Sequence, residues 1–169
     1  MRDHNRLLRS LHHLLCWRRS AHQAFPPQGL RDIENLITTG EQQHGAQVRF
    51  VVEHALDQEA IWSGMTPRQR AQYLFAHLRV WDTEANLGIL IYVNLADHQV
   101  EILADRGVHQ LVQASVWHHL CQQMTQGFRQ GHYIEPSLQV LKELNALLTE
   151  RLPRNINTTN ELPDKPLML

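Results

Sequence analysis

Eight residues, Gly88-Ile89-Leu90-Ile91-Tyr92-Val93-Asn94-Leu95, constrain this chain more than any other stretch. The run is almost wholly apolar and too short to cross a membrane, as expected of a central strand buried on both faces. Asp97-His98 marks a tight turn, and Gln99 to Ala104 alternates as a returning strand with one wet face does. A turn rich in oxygen side chains, Asp82, Glu84 and Asn86, precedes the first strand, and Asp105-Arg106-Gly107 follows the second. A hairpin of this kind brings both acidic loops to the same edge of a sheet. That edge is the one constellation in the chain with the pattern of a site.

The flanking sequence supplies the rest of an α/β fold. Gln28 to Gln43 places Leu30, Ile33, Leu36 and Ile37 on one helical face with Pro27 near its start, and His44-Gly45 ends it. Gln47 to His54 is a strand in which Val48, Phe50 and Val52 alternate with Arg49, Val51 and Glu53. Thr66-Pro67 opens a helix as N-cap and first helical residue, with Tyr73, Leu74, Phe75 and Leu78 on its inner face. A long helix is expected from Val108 to Met124, carrying Leu111, Val112, Val116, Leu120 and Met124. The segment Gly127 to Tyr133 interrupts it, and a last helix follows from Pro136 to Arg151. The fold class is therefore α/β: a small mixed sheet, a parallel β-α-β unit plus an antiparallel hairpin, flanked by helices as an α/β/α sandwich.

Residues 1–25 form a separate unit, residues 27–152 the domain, and residues 153–169 a polar, proline-bearing tail without periodicity that is expected to lack structure. In the first unit Leu7, Leu8, Leu11, Leu14 and Leu15 make an apolar helix stripe opposite Arg2, Arg6, Arg9, Arg18 and Arg19. Such a helix can dock on the domain, join a second subunit in an oligomer, or lie on an anionic membrane surface. Phe25-Pro26-Pro27 breaks it. The chain has no apolar signal-peptide core and no run of transmembrane length, so the expected location is the cytoplasm, with residues 1–24 able to contact the inner membrane peripherally. A net charge of −1 supplies no field toward nucleic acid, and no basic stripe crosses the sheet.

The 12 histidines are scattered. The pairs His12-His13 and His118-His119 point about 100° apart on a helix and cannot chelate one metal together. Cys16 and Cys121 are each expected to be buried free thiols, although one disulfide between them stays open. Trp62, Trp81 and Trp117 are expected to be packing residues.

Leu74 to Val108, together with Phe128-x-x-Gly131-x-Tyr133, resembles the TPM domain. The shared features are an Asp-containing turn, an Asn and a Gly before an apolar strand, the hairpin, a Gly-ending turn, a helix, and an aromatic–Gly–Tyr connection. Val48-Arg49-Phe50-Val51-Val52-Glu53 is similar to the first strand of a soluble proteobacterial branch without signal peptide or membrane anchor. Where the family commonly has Asn-Gly, this chain has Asn86-Leu87-Gly88, and the acidic motif that opens many secreted members has no counterpart near Phe25 to Arg31. The resemblance implies a mixed sheet flanked by helices, divalent-cation binding in some members, acid phosphatase activity proposed for plant relatives, and LemA-type membrane proteins as partners in bacteria.

Calcium and magnesium take hard oxygen ligands, and Asp82, Glu84, Asn86 and Asp105 are the candidates here. The spacing of the first three matches the opening of an EF-hand loop, but Leu87 stands at the sixth position where Gly is needed and Val93 at the twelfth where Glu is needed. An EF-hand is excluded. The leading expectation is a non-enzymatic binding module with a divalent cation at this edge and a membrane-linked protein partner. The alternative is a metal-assisted acid phosphatase at the same edge, with Asp82 and Asp105 as ligands and Arg106 holding phosphate.

Overall fold

The computed structural model describes residues 21–155 and 159–169; of the basic N-terminal helix expected over residues 1–25, the first 20 residues, with Cys16, lie outside them. A helical turn at Ala21–Ala24 leads into α1 (Pro27–Glu41), β1 (Gln47–Glu53), the short α2 (Gln58–Trp62), α3 (Pro67–His77), β2 (Gly88–Asn94), β3 (Gln99–Ala104), α4 (Arg106–His109), α5 (Ala114–Arg129), α6 (Ile134–Arg151) and β4 (Leu167–Met168). The sheet order is β3-β2-β1-β4. β1 runs parallel to β2, with Val48 opposite Ile89 and Val52 opposite Val93, and β3 returns antiparallel to β2.

Both faces of β1 and β2 are covered, so every residue of the two strands is buried. Because side chains alternate, Val48, Phe50, Val52, Ile89, Ile91 and Val93 face α1, α5 and α6. Val51, Leu90 and Tyr92 face Ala71 and Leu74 of α3, with Val80 and Leu162. This double coverage is why Gly88–Asn94 reads as a continuous apolar run. The expected layered α/β fold is the one observed.

Thr66 accepts from the Gln69 amide while the Gln69 side chain accepts from the Thr66 amide, a reciprocal capping box that fixes where α3 begins. Phe25 is fully buried, its ring 6.1 Å from Phe50, 6.2 Å from Phe128 and 6.0 Å from Tyr133. The core therefore starts ahead of the prolines that mark the break in the sequence.

Two expectations are corrected. The single helix over 108–124 is instead α4 and α5, joined by a bend at Gln110–Gln113. The bend lets Val108 and Val112 enter the core while Leu111 stays exposed, and α5 then presents its own stripe, Trp117, Leu120, Met124 and Phe128. Gly127 does not interrupt α5; a side chain there would meet Pro136 of α6 at 2.3 Å.

The second correction concerns the tail. Its last residues form β4, parallel to β1 through Val51–Leu167 and Val52–Met168. Upstream, the Arg49 guanidinium donates to the carbonyls of Pro163 (2.7 Å) and Lys165 (2.6 Å), and the Gln47 side-chain oxygen accepts from the amides of Glu161 and Leu162. Leu162 covers the α3 face of the sheet. The tail has no periodicity of its own because its order comes from partners more than a hundred residues away. This ordering concerns residues 159–169.

A Cβ on Gly88 would stand 1.8 Å from the Val80 carbonyl oxygen, whereas one on Gly45 would meet its nearest neighbour, Leu87, at an ordinary 3.6 Å. Gly88→Ala is expected to lower the unfolding free energy by about 3 kcal/mol or more, at the top of the overpacking range. Gly45→Ala is expected to stay within about 1 kcal/mol of the parent. Urea denaturation of the two variants checks the pair.

Candidate functional site

The acidic turn is assembled on Thr83, which is buried and whose hydroxyl accepts from the Leu87 amide at 3.0 Å. The Asn86 amide donates to the Thr83 carbonyl, and Asn86 itself takes a left-handed conformation with φ 55°. Three consecutive carbonyls then anchor the strand entry. Asn86 O accepts from Gly107, Leu87 O from Gln47 and Gly88 O from Asp105, at 3.1, 3.0 and 2.8 Å. Gly107 must be bare here, since a Cβ would lie 2.8 Å from the Asn86 oxygen. The two acidic loops thus meet at the edge formed by the N-terminal ends of β1 and β2.

Asp105 caps α4 and is only 9% exposed. One of its carboxylate oxygens accepts from the Arg106 amide at 2.7 Å; the other, Oδ2, is buried and accepts no hydrogen bond. The remaining candidates are more open. Asp82 is exposed, with the Arg79 guanidinium 4.0 Å away. Glu84 is exposed too, and its amide donates to both oxygens of the Glu161 carboxylate at 3.1 and 3.3 Å. Arg106 is exposed in the first turn of α4. The fold therefore joins the strand entry at Asn86–Gly88 to the Asp105–Gly107 loop, through Gly107 on Asn86 and Asp105 on Gly88. Among the described residues no three His, Cys, Asp or Glu side chains are grouped so as to hold a metal ion.

Thr83 and Glu161 were not among the residues singled out in the sequence. A Thr at the head of a turn is a recognisable signal. Glu161 carries none, because only the folded tail brings its carboxylate to Glu84. Between this turn and the tail lies a cavity of about 420 Å3, lined by Thr83, Glu84, Leu87, Gln47 and Glu161 among others.

Other buried polar groups lie away from this edge. At the opposite ends of the parallel strands the Glu53 carboxylate accepts from Arg70 Nε (3.0 and 3.1 Å) and Nη2 (2.5 Å), and from the Tyr92 hydroxyl (2.5 Å). Asn94 donates to the same hydroxyl at 3.2 Å. Burial, and then the neighbouring Glu53 charge, push the Tyr92 phenol well above its usual range, while the bond to Glu53 raises the Arg70 guanidinium. This network closes on itself and ties α3 to the sheet.

On the other face Glu41 is buried, with Oε1 accepting from the Val48 amide at 2.7 Å and Oε2 accepting nothing. Burial pushes its carboxyl up to about 8. His44 is fully buried with Nε2 3.2 Å from the Asn145 side-chain oxygen, and burial lowers its imidazole. Cys121 is a free thiol raised by burial to about 11. His118 and His119 are exposed and each pairs with a glutamine one turn on, Gln122 and Gln123, at 2.9 Å. Trp117 is core, whereas Trp62 and Trp81 are about half exposed.

A family model of the TPM domain matches residues 20–147, and the chain belongs to that family. Among solved structures it is similar to the NMR structure of the BA42 protein from the psychrophilic bacterium Bizionia argentinensis. The TM-score is 0.73 and the identity 20%, over 84% of this chain and 93% of that one. No curated protein matches the chain. The tail that carries Glu161 lies beyond the matched segment. No helix among the described residues is long and apolar enough to cross a membrane.

Glu41 makes a pH prediction. Its folded pKa of about 8 lies above the unfolded carboxyl value of about 4.3, so the fold favours the neutral acid. The stability this contributes is fully present below the unfolded value and is lost as pH rises through the folded one. Between pH 5 and pH 8.5 the wild-type unfolding free energy is expected to fall. In Glu41→Gln, which keeps an oxygen for the Val48 amide, it falls less, the difference being on the order of a few kcal/mol. Denaturant titrations of both proteins at the two pH values check this.

Proposed function

We propose that the chain is a non-enzymatic TPM-type binding module that takes a divalent cation, calcium or magnesium, at the Asn86–Asp105 corner and engages a membrane-linked protein partner of the LemA type. The observation that carries the cation is Asp105 Oδ2, a carboxylate oxygen removed from water and given no donor in exchange. A buried anionic oxygen without a partner is costly, and a hard cation is the ligand that offsets the cost. The Asn86 turn is tied to the same helix start by the bond from the Gly107 amide to its carbonyl. Asp82 and Glu84 occupy the same turn on exposed side chains, so they can close on a cation once it is bound. Asp82, Glu84, Glu161 and Asp105 outnumber Arg79 and Arg106 at this end, a surplus of negative charge that a cation would relieve. The partner follows from the family likeness, and its contact surface includes residues 1–24 as the candidate.

Chelator-treated protein titrated with calcium, then magnesium, and followed by amide chemical shifts tests the cation. Saturable shifts confined to 82–88 and 105–107 are expected. Asp105→Asn should weaken binding at least about tenfold, the loss that removal of even an outer-shell partner brings. An unchanged spectrum at millimolar cation would remove the corner from consideration. Hydrolysis of p-nitrophenyl phosphate that disappears in both Asp82→Ala and Arg106→Ala would replace the non-enzymatic reading with a phosphatase.

A further inference from the structure

β3 forms one edge of the sheet. The bond from the Asp105 amide to the Gly88 carbonyl makes those two residues a hydrogen-bonded pair. In an antiparallel ladder such pairs alternate. With the observed register, Leu103, Glu101 and Gln99 bond inward to β2, and the backbone groups of Val100, Ile102 and Ala104 point away from it. Ile102 is guarded on that side. Arg68 Nη1 donates to its carbonyl at 3.2 Å, and its backbone also hydrogen-bonds the Cys121 thiol. The outward amides and carbonyls of Val100 and Ala104 meet no partner among the described residues.

A groove of about 460 Å3 runs beside this edge, between Val100 and Ile102 on one bank and Trp117, Cys121 and Arg129 of α5 on the other, with Arg68 at its rim. A second hollow of about 320 Å3 adjoins it, sharing Arg68, Gln99 and Glu101. The free donors and acceptors of Val100 and Ala104 lie four residues apart on one sheet edge, on either side of the guarded Ile102, and an extended backbone is the ligand whose groups match that spacing.

Charge selects its chemistry. Arg68 and Arg129 line the groove against one acid, Glu101, which Arg68 already holds at 3.2 Å, and Asp97 lines only the adjoining hollow. Arg129 has no ion-pair partner among the described residues. The Arg68 side chain is 52% exposed and its contacts are long, so it can leave Ile102 at little cost. We propose that this edge takes an extended, acidic segment of a protein partner, added to the sheet as a fifth strand.

The test uses the full chain and a capped octapeptide alternating Glu and Val, read by amide-resolved hydrogen exchange. Saturable slowing of the Val100 and Ala104 amides is expected. Arg129→Glu, a change at an exposed position that leaves the fold intact, should weaken binding roughly tenfold. An alternating Lys-Val octapeptide should bind at least about tenfold more weakly, as should a Glu-Val peptide methylated on alternate backbone nitrogens. No slowing at millimolar peptide would overturn the proposal. So would equal binding of the methylated peptide, which denies strand pairing, or of the Lys-Val peptide, which denies selection by charge. Slowing confined to residues outside β3 would overturn it as well.

Discussion

Three successive carbonyls, those of Asn86, Leu87 and Gly88, hold the candidate edge together by accepting from Gly107, Gln47 and Asp105 in turn. Two of the bonds reach α4, at Gly107 in its first turn and at its cap Asp105, and the third reaches the first residue of β1. Backbone groups that would otherwise be buried unpaired at the strand entry are satisfied by one another. The register of β1 on β2 and of β2 on β3 is set at the same point. The geometry leaves almost no tolerance, because Gly88 lies against the Val80 carbonyl and Gly107 against that of Asn86. Retaining Gly88 where Leu87 separates it from Asn86 is thus a packing requirement before it is anything chemical.

The same frame separates two kinds of buried charge. At the far ends of the parallel strands, Glu53, Arg70, Tyr92 and Asn94 satisfy each other, and nothing in that set is left to bind a ligand. At the near ends Asp105 keeps one oxygen unpaired, and Glu161 uses its carboxylate on the Glu84 amide. Open sheets more often place ligands beyond the carboxyl ends of their parallel strands. Here the Glu53–Arg70 ion pair occupies that end, next to His54 with both buried ring nitrogens unpartnered, and the unsatisfied carboxylate oxygen of Asp105 lies at the other. The tail reinforces the difference, since Gln47 and Arg49 fasten it across the sheet while Glu161 reaches the acidic turn.

The core hairpin, the β1 strand and the start of α3 were legible because each carries a local signal: an apolar run, a period of two, a Thr-Pro helix start. The sharing of one edge by the Asp82–Asn86 turn and the Asp105–Gly107 loop was legible for the same reason, since a tight hairpin returns the chain to where it began. The break between α4 and α5 was not, because residues 108–124 satisfy a helical period throughout. Only the need to seat both Val108 and Val112 in the core bends them.

By itself the sequence determined that β2 would be buried on both faces, that β3 would return beside it, and that two acidic loops would share an edge. These follow from side-chain periodicity and turn chemistry, which act over a few residues. Only the tertiary structure decided that Asp105 would lose water from an oxygen with no donor, that Glu161 would stand at Glu84, and that residues 167–168 would become a strand. Each of these depends on atoms distant in the chain, because burial and hydrogen-bond satisfaction are properties of what surrounds a group and not of its neighbours in sequence.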